Sequence, residues 1–307
     1  MHWIGLDASL LGRNRTPRRF SAGESLTDAD GSPVHLFISG EVHLSAETPF
    51  GPHEVAILPA PILLDLRTAL GGTPGVCRLL PSADCEAVVF DAAEARLLLF
   101  EPFSDGPAFR RLALASLAAA LRETNASLGG FFDGPAAPDR RAAEAAPLST
   151  PDARAVDPAK AGDLFDAAGL DPSLLPALGL SALGIPEGGL LMRAGAAGDE
   201  AYLLAEGRLR VWVDIAGAGE EALAILSAGE IVGEMSLVDD APRSANVTAH
   251  GGPALVYVLS RDVLRRLLDL GDPEGASLLA GIAIVLTRRL EEALRKAATF
   301  RILAGPP

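Results

Sequence analysis

The stretch Gly233-Glu-Met-Ser-Leu-Val-Asp-Asp-Ala-Pro-Arg-Ser-Ala245 decides how this chain is interpreted. Gly233 has no Cβ, so a backbone N–H can approach a ligand closely at this point. Residues 234–238, which include Met235 and Ser236, can form one helical turn whose free N–H groups and positive dipole end face an anion. This part of the sequence therefore predicts an anion-binding turn.

Polar groups of the same stretch complete the predicted site. Glu234 can accept a hydrogen bond from a ribose hydroxyl, because an ionised carboxylate only accepts. Arg243 offers a planar fork of donors to phosphate oxygens. Ser244 and the backbone N–H groups of Ser244 and Ala245 can complete the cradle. Together these groups predict a binding site for a ribose cyclic phosphate.

The pattern resembles the phosphate-binding cassette of the cyclic nucleotide-binding domain family, which includes the catabolite activator protein and the regulatory subunits of cyclic-AMP-dependent protein kinase. The resemblance covers about residues 186–300. Residues 191–195 and 198–211 are similar to the first strands of the family's β-roll, 225–231 to the strand and turn entering the cassette, and 256–264 to the closing strand. The resemblance implies that the ligand is a 3′,5′-cyclic nucleotide, expected to be cyclic AMP, with cyclic GMP as the alternative.

Base selectivity is also an expectation from the resemblance. In the family the last helix caps the purine, and Thr287 is the candidate hydroxyl on that helix. Arg288 or Arg289 could stack on the base, although a solvated basic face is the simpler expectation. In eukaryotic members a threonine after the cassette arginine favours the guanine amino group. Here that position is Ser244, and we expect a modest preference for cyclic AMP.

The N-terminal half is predicted to be a degenerate repeat of the second domain. Val34–Leu44 parallels Ala201–Val211, since both segments are alternating strands that meet at a glycine turn. The predicted fold class is therefore α+β, with two antiparallel jelly-roll-type β-rolls flanked by helices. The expected domains are a degenerate one over residues 1–128, a Pro/Ala/Gly-rich linker over 129–160, and a cyclic nucleotide-binding domain with a C-terminal helix over 161–307.

The cassette is where the two copies differ. Aligning Ile62 with Ile231 places Leu64 at Gly233 and Asp65 at Glu234, and aligning the prolines that follow places Gly75 at Arg243. A leucine would block the close backbone approach, and the phosphate fork would be missing. An unpaired buried phosphate is costly, so we predict that the first domain does not bind a cyclic nucleotide in the family's manner.

Two helical stretches carry apolar seams. The first consists of Leu114, Leu117, Leu121 and Leu128, and the second of Leu279, Ala283, Leu286, Leu290, Ala293 and Ala297. Each seam could pack on its own domain. The alternative is helix pairing through residues 108–128 and 274–300, either as a homodimer or as a pseudo-dimer within one chain.

Composition restricts the classes of function. The chain has 307 residues and a net charge of −14, with no basic stripe, so nucleic acid and anionic membranes are poor partners. No signal peptide or membrane span is expected. The two cysteines, Cys77 and Cys85, are expected to be reduced, with a disulfide as the alternative. A cytoplasmic protein follows, and the Ala, Gly, Pro and Arg bias fits a bacterium with GC-rich DNA.

Metal and catalytic sites are not expected. His35, His43 and His53 lie in the first domain, and His35 and His43 could face one another across a strand turn, but a metal site needs three or four convergent ligands. Solvent-facing strand histidines are the expectation. No nucleophile elbow, Walker loop or zincin motif occurs, so neither a cofactor nor an enzyme activity is predicted.

These observations predict a cytoplasmic cyclic nucleotide sensor or regulatory protein. Seven residues follow Phe300, and a helix-turn-helix domain needs tens of residues, so action through an unidentified protein partner is expected rather than action on DNA. Two alternatives stay open: a structural or interaction protein with an unoccupied cassette, and a subunit that regulates an enzyme in trans.

Overall fold

The chain forms two compact units. The computed structural model describes residues 16–24, 26, 33–70, 77–81, 85–101, 105–130, 152–154, 156–167, 179–215, 219–263 and 273–304. The first unit contains the described residues between 16 and 130 together with residues 273–304. The second unit contains the described residues between 152 and 263.

The first unit is a β-roll with helices. Its strands are β1 (Arg18–Phe20), β2 (Val34–Ser39), β3 (Glu41–Thr48), β4 (Gly51–Pro59), β5 (Ile62–Leu64), β6 (Cys77–Pro81) and β7 (Cys85–Phe90). They pair antiparallel in two sheets of order β1-β7-β2-β5 and β4-β3-β6. The first three helices of the chain are α1 (Leu66–Ala69), α2 (Ala92–Phe100) and α3 (Gly106–Gly130).

The second unit repeats this architecture. Its strands are β8 (Asp152–Arg154), β9 (Ser181–Ile185), β10 (Leu190–Met192), β11 (Glu200–Glu206), β12 (Leu209–Ile215), β13 (Gly219–Leu226), β14 (Ile231–Val232), β15 (Asn246–Ala249) and β16 (Ala254–Ser260). The sheets have the orders β10-β15-β12-β13 and β14-β11-β16-β9-β8. The unit also contains α4 (Pro158–Ala167) and the short helix α5 (Glu234–Asp239).

Alternation of inward and outward side chains along these strands builds the core of the second unit. The strands run antiparallel, so one face of each sheet can be apolar while the other meets water. The buried cluster consists mainly of aliphatic residues from both sheets: Ile185, Leu191, Met192, Leu204, Leu209, Leu226, Val232, Val247 and Val256. The α+β class and the antiparallel rolls predicted from the sequence are confirmed by this arrangement.

The C-terminal helix α6 (Pro273–Ala304) packs along α3 in the first unit. The seam residues predicted on both helices are mostly buried: Leu114, Leu117, Leu121 and Leu128 on α3, and Leu279, Ala283, Leu286, Ala293 and Ala297 on α6. Small residues on α6 let the helices approach closely. Of the alternatives open from the sequence, the structure shows pairing of the two helices within one chain.

This packing corrects the predicted domain boundary. The sequence analysis assigned the C-terminal helix to the 161–307 domain, because the helix follows the second roll along the chain. An apolar stripe indicates which face of a helix is buried but not which surface covers it. An ion pair between Arg67 of α1 and Glu291 of α6, at 2.7 Å, adds a polar contact to the same packing.

Strand register corrects the alignment of the two rolls by one residue. Tyr202 pairs with Val232 on β14, and His35 pairs with Leu64 on β5. Asp65 therefore occupies the position of Gly233, and both residues have a left-handed backbone, with φ of 66° and 84°. Aspartate is one of the few residues besides glycine that visit this region, so matching by residue type misled the alignment.

The corrected register places Leu66 at the position of Glu234. Leu66 is 2% exposed in the first turn of α1. The ribose acceptor is therefore replaced by an aliphatic side chain, where the sequence alignment had assigned Asp65. Gly75, predicted at the position of Arg243, lies outside the described residues.

Two predictions about the histidines and cysteines are also settled. His35 is buried, not solvent-facing, and its Nδ1 lies 3.3 Å from Asp65 Oδ2. His43 contacts Glu54 instead, so the two histidines do not face one another. Cys85 is buried and not part of a disulfide, and its thiol donates to the carbonyl oxygen of Glu41 at 3.1 Å; the side chain of Cys77 lies outside the described residues.

Within the described ranges, no helix combines the length and the apolar character that crossing a membrane requires.

Candidate phosphate-binding site

The cassette predicted from the sequence is a loop and a short helix in the second unit. Gly233 caps α5 in the left-handed region, and the first four residues of the helix are buried: Glu234, Met235, Ser236 and Leu237. The strand β14 ends at Val232, so the left-handed residue turns the chain sharply from strand to helix. Glu234 is 1% exposed, which is unusual for a carboxylate.

Arg243 lies at the centre of the site. Its Nη1 donates to the carbonyl oxygen of Gly233 at 2.7 Å, and its Nη2 donates to the carbonyl oxygen of Glu200 at 2.6 Å. The residue is only 7% exposed. A guanidinium has five N–H donors, so two hydrogen bonds to carbonyls fix its plane and leave further donors for a phosphate.

Two glycines give the guanidinium its space. A Cβ added to Gly198 would lie 2.2 Å from both Cζ and Nε of Arg243. A Cβ added to Gly233 would lie 2.6 Å from Nη1 of Arg243 and 2.9 Å from the sulfur of Met192. The Arg243 side chain therefore packs directly against the backbone at both positions.

The electrostatic surroundings of Arg243 are unusual for an arginine. Burial lowers its pKa, and the neighbouring Tyr202, Glu234, Glu200 and Asp199 oppose that change. An arginine keeps its charge under these conditions, because its ordinary pKa lies above about 12. Burial also raises the pKa of Tyr202, with further contributions from Glu200. The surroundings of Arg243 therefore include a neutral phenol and acidic groups.

The turn after β10 is tied to the cassette by its backbone. The N–H of Gly195 donates to the carbonyl of Arg243 at 2.8 Å, and the N–H of Arg243 donates to the carbonyl of Ala196 at 2.8 Å. Oδ1 of Asn246, a residue that is 1% exposed, accepts from the N–H of Ala194 at 2.9 Å. Both ends of the arginine's own backbone are thus held, which limits its freedom to leave the site.

A second arginine fastens the far end of α5. Arg261, at the end of β16, donates to the carbonyl oxygens of Ser236 at 2.8 Å and Gly198 at 2.7 Å. It also pairs with Asp199 at 3.0 Å and with Asp240. Cations are favourable beside the unpaired carbonyls at a helix C-terminus. Arg261 thereby joins the cassette helix, the loop before β11 and the closing strand.

Sequence reasoning located the cassette but missed most of its support. In the structure the loop that contains Arg243, Ser244 and Ala245 lies against the turn of Gly233, Glu234, Met235 and Ser236, since Arg243 donates to Gly233 and Ser244 contacts Met235. Ser244 is exposed, and its hydroxyl lies 3.7 Å from the Met235 sulfur. The residues missed are Gly198, Glu200, Tyr202, Asn246 and Arg261. A glycine followed by an acid at 198–199 was the one visible signal, since it sits just before a predicted strand.

Thr287 is not part of the same unit as these residues. It lies on α6, which belongs to the first compact unit, and its hydroxyl is buried with no hydrogen-bond partner among the described residues. The prediction that Thr287 caps a base depended on assigning α6 to the second domain, and that assignment is corrected above. Its role at a base stays a prediction.

Comparison with known proteins agrees with the chemistry of the second unit. Residues 184–270 match the family model described as cyclic nucleotide-binding domain. The chain is 36% identical over 109 residues to the cyclic AMP receptor protein of Thermus thermophilus, which covers 35% of this chain and 48% of that protein. It is 34% identical over 84 residues to a cAMP-dependent protein kinase regulatory subunit of Blastocladiella emersonii, covering 27% of this chain and 21% of that protein.

Among solved structures, the chain is similar to a cyclic nucleotide-binding domain from Methylobacillus flagellatus. The identity is 28%, the coverage is 45% of this chain and 83% of that chain, and the TM-score is 0.42. This chain spans less than half the length of the two curated relatives that it matches. The matched residues 184–270 lie within the second unit and contain its cassette, so the similarity to cyclic nucleotide-binding domains falls on the candidate site itself.

Proposed function

We propose that the second unit binds one 3′,5′-cyclic nucleotide, with cyclic AMP preferred, and that the chain is a regulatory protein that acts through a protein partner. The observation that carries the proposal is Arg243, a buried guanidinium whose plane is fixed by two backbone carbonyls beside the buried carboxylate of Glu234. The remaining N–H donors of this guanidinium suit phosphate oxygens. A cyclic phosphate would accept these hydrogen bonds, and its ribose would supply a donor for Glu234.

The rest of the proposal concerns the setting of this binding event. The acidic net charge of −14 supports a protein partner over nucleic acid or an anionic membrane. We also propose a bacterial cytoplasm as the setting, without enzyme activity and without a cofactor. The competing function is a structural or interaction protein with an unoccupied cassette, and ligand binding separates the two.

Isothermal titration calorimetry with cyclic AMP tests the proposal. Arg243→Ala should weaken binding by several hundredfold or more, since losing one partner of a buried charge pair costs about 3–5 kcal/mol. Arg208→Ala is the matched control, because Arg208 is an exposed arginine of the same unit. Its affinity should equal that of the unaltered protein.

Thermal denaturation provides an independent measurement. Cyclic AMP at a hundredfold above its dissociation constant should stabilise the unaltered protein by about 2.7 kcal/mol. Arg243→Ala should keep its fold, as judged by circular dichroism, and lose this stabilisation. An unaltered protein that shows neither heat of binding nor thermal stabilisation would favour the structural alternative.

A further inference from the structure

Glu200 and Tyr202 stand beside Arg243 on strand β11. Residues two apart on a strand share a face, and the Tyr202 hydroxyl donates to Oε2 of Glu200 at 2.9 Å. The Tyr202 ring centre lies 5.9 Å from Cζ of Arg243, and the Glu200 backbone carbonyl accepts from Arg243 Nη2. The strand that orients the arginine therefore also holds a carboxylate next to it.

The Tyr202 hydroxyl keeps this carboxylate in place at neutral pH. Burial raises the pKa of Tyr202, and Glu200 raises it further, so the phenol stays protonated and remains a donor. Tyr202 itself is 7% exposed, which limits the freedom of its ring. This hydrogen bond therefore holds the Glu200 carboxylate in one place.

The acidic side chains near Arg243 disfavour a ligand with two negative charges. Glu200 and the buried Glu234 both contribute electrostatically at Arg243. Asp199, the other acid near Arg243, has its own partner in Arg261. Arg243 is 7% exposed, so little water screens its interaction with the Glu200 carboxylate.

We propose that Glu200, held by Tyr202, is a specificity-determining residue that favours a phosphate with one negative charge over a phosphate with two. The inference rests on the proposed function, because it concerns the same site. A cyclic phosphodiester carries a single charge, whereas a phosphate monoester carries about −1.5 to −2 near pH 7. The additional charge of the monoester would be repelled by the carboxylate of Glu200, which the Tyr202 hydroxyl holds beside Arg243.

Competition binding tests this assignment. A fluorescent cyclic AMP analogue is displaced by cyclic AMP or by 5′-AMP, which share the base and ribose and differ in the phosphate. The measured quantity is the ratio of their inhibition constants. Glu200→Gln keeps the shape of the side chain and the backbone carbonyl that Arg243 needs, while it removes the charge.

In Glu200→Gln we expect the preference for cyclic AMP over 5′-AMP to fall about tenfold, mainly because 5′-AMP binds more tightly. Tyr202→Phe, which frees the carboxylate but keeps the ring, should lower the preference by a smaller factor. Glu187→Gln removes one exposed carboxylate from a turn of the same unit and should leave the ratio unchanged.

An unchanged ratio in Glu200→Gln, or an equal change in Glu187→Gln, would overturn the inference while cyclic AMP binding by the unaltered protein left the proposed function intact. Failure of the unaltered protein to bind the fluorescent analogue and cyclic AMP would overturn the proposed function and this inference together.

Discussion

The two β-rolls of this chain share a strand frame and differ in the side chains that their cassettes present. In the second roll Gly233 turns the chain into α5, and the buried Glu234 follows. In the first roll Asp65 makes the same left-handed turn into α1, and the buried Leu66 follows. The turn has been kept, while the group that can accept from a ribose has been replaced.

The side chains on the strand beside each cassette, β2 in the first roll and β11 in the second, also differ. By strand register His35 takes the place of Tyr202, and Pro33 takes the place of Glu200. His35 lies 3.3 Å from Asp65, so a contact between the roll's own side chains occupies the position where the second roll has Gly233 beside Arg243. The comparison teaches that a β-roll retains its frame through strand pairing and apolar packing. Those interactions do not depend on the residues that hold a ligand.

The comparison is tested most strongly by filling the space that Gly198 leaves for the guanidinium of Arg243. Gly198→Ala places a methyl group 2.2 Å from Cζ of Arg243, so the guanidinium must leave its two carbonyl partners. Charge-assisted hydrogen bonds contribute about 1.5–3 kcal/mol each, so cyclic AMP affinity should fall roughly thirtyfold or more. Calorimetry on the variant measures this loss.

Gly188→Ala is the matched control for that substitution. Gly188 has φ of 70° in the same unit, and an added Cβ would meet no atom within 4 Å. An alanine there is strained by about 1–2 kcal/mol, which lowers stability but leaves the cassette untouched. If both variants lost the same stability and the same affinity, packing on Gly198 would not be what positions Arg243.

The next largest effect is expected at the arginine that fastens α5. Strand β7 of the first roll is equivalent to β16 of the second, because each pairs with the equivalent strand, β2 or β11. This equivalence places Ala92 at the position of Arg261. Arg261→Ala removes the donors to Ser236 and Gly198, and should lower cyclic AMP affinity about tenfold and stability by about 2 kcal/mol. Urea denaturation and calorimetry measure the two effects. Arg208→Ala should change neither, and an Arg261→Ala protein with unaltered affinity would show that α5 needs no such tie.

The contacts that could be predicted from the sequence are those between residues close together in the chain. The cassette was predictable because its polar groups lie within one stretch, 233–245, and their spacing carries chemical meaning. The bond from Arg261 to Gly198 joins positions 63 apart, and the bond from Arg243 to Glu200 joins positions 43 apart. No local pattern specifies such contacts, because they follow from which strands pair.

Two other differences have equally physical causes. The sequence alignment matched Ile62 with Ile231 and so placed Leu64 at Gly233. The structure places Asp65 there, because aspartate, like glycine, can adopt the left-handed region. The helix α6 was given to the wrong unit because its apolar stripe fits any complementary helix. The small residues Ala283, Ala293 and Ala297 predicted a close approach but could not name α3 as the partner.

A smaller effect is expected from the first roll. Asp65→Ala removes the contact with His35 and places a less tolerant residue at φ of 66°, so stability should fall by about 1–2 kcal/mol. Cyclic AMP affinity should not change, and the titration should saturate at one nucleotide per chain before and after the substitution. Saturation at two equivalent sites would contradict the view that Leu66 leaves the first cassette without a ribose acceptor.

The smallest expected effect is the choice between cyclic AMP and cyclic GMP. In the proposed complex Arg243 and Glu234 would contact the phosphate and the ribose, which the two nucleotides share, so selectivity would come from the edge of the base. The Ser244 hydroxyl is exposed and rests 3.7 Å from the Met235 sulfur, so no group fixes it toward a guanine amino group. A hydroxyl without the neighbouring methyl of threonine is also freer to rotate.

One hydrogen bond contributes about 1 kcal/mol, so a preference for cyclic AMP of only about fivefold is expected. Ser244→Thr should reduce this preference. Competition of both nucleotides against one fluorescent analogue measures the ratio, and tighter binding of cyclic GMP by the unaltered protein would refute the preference without affecting the assignment of the cassette.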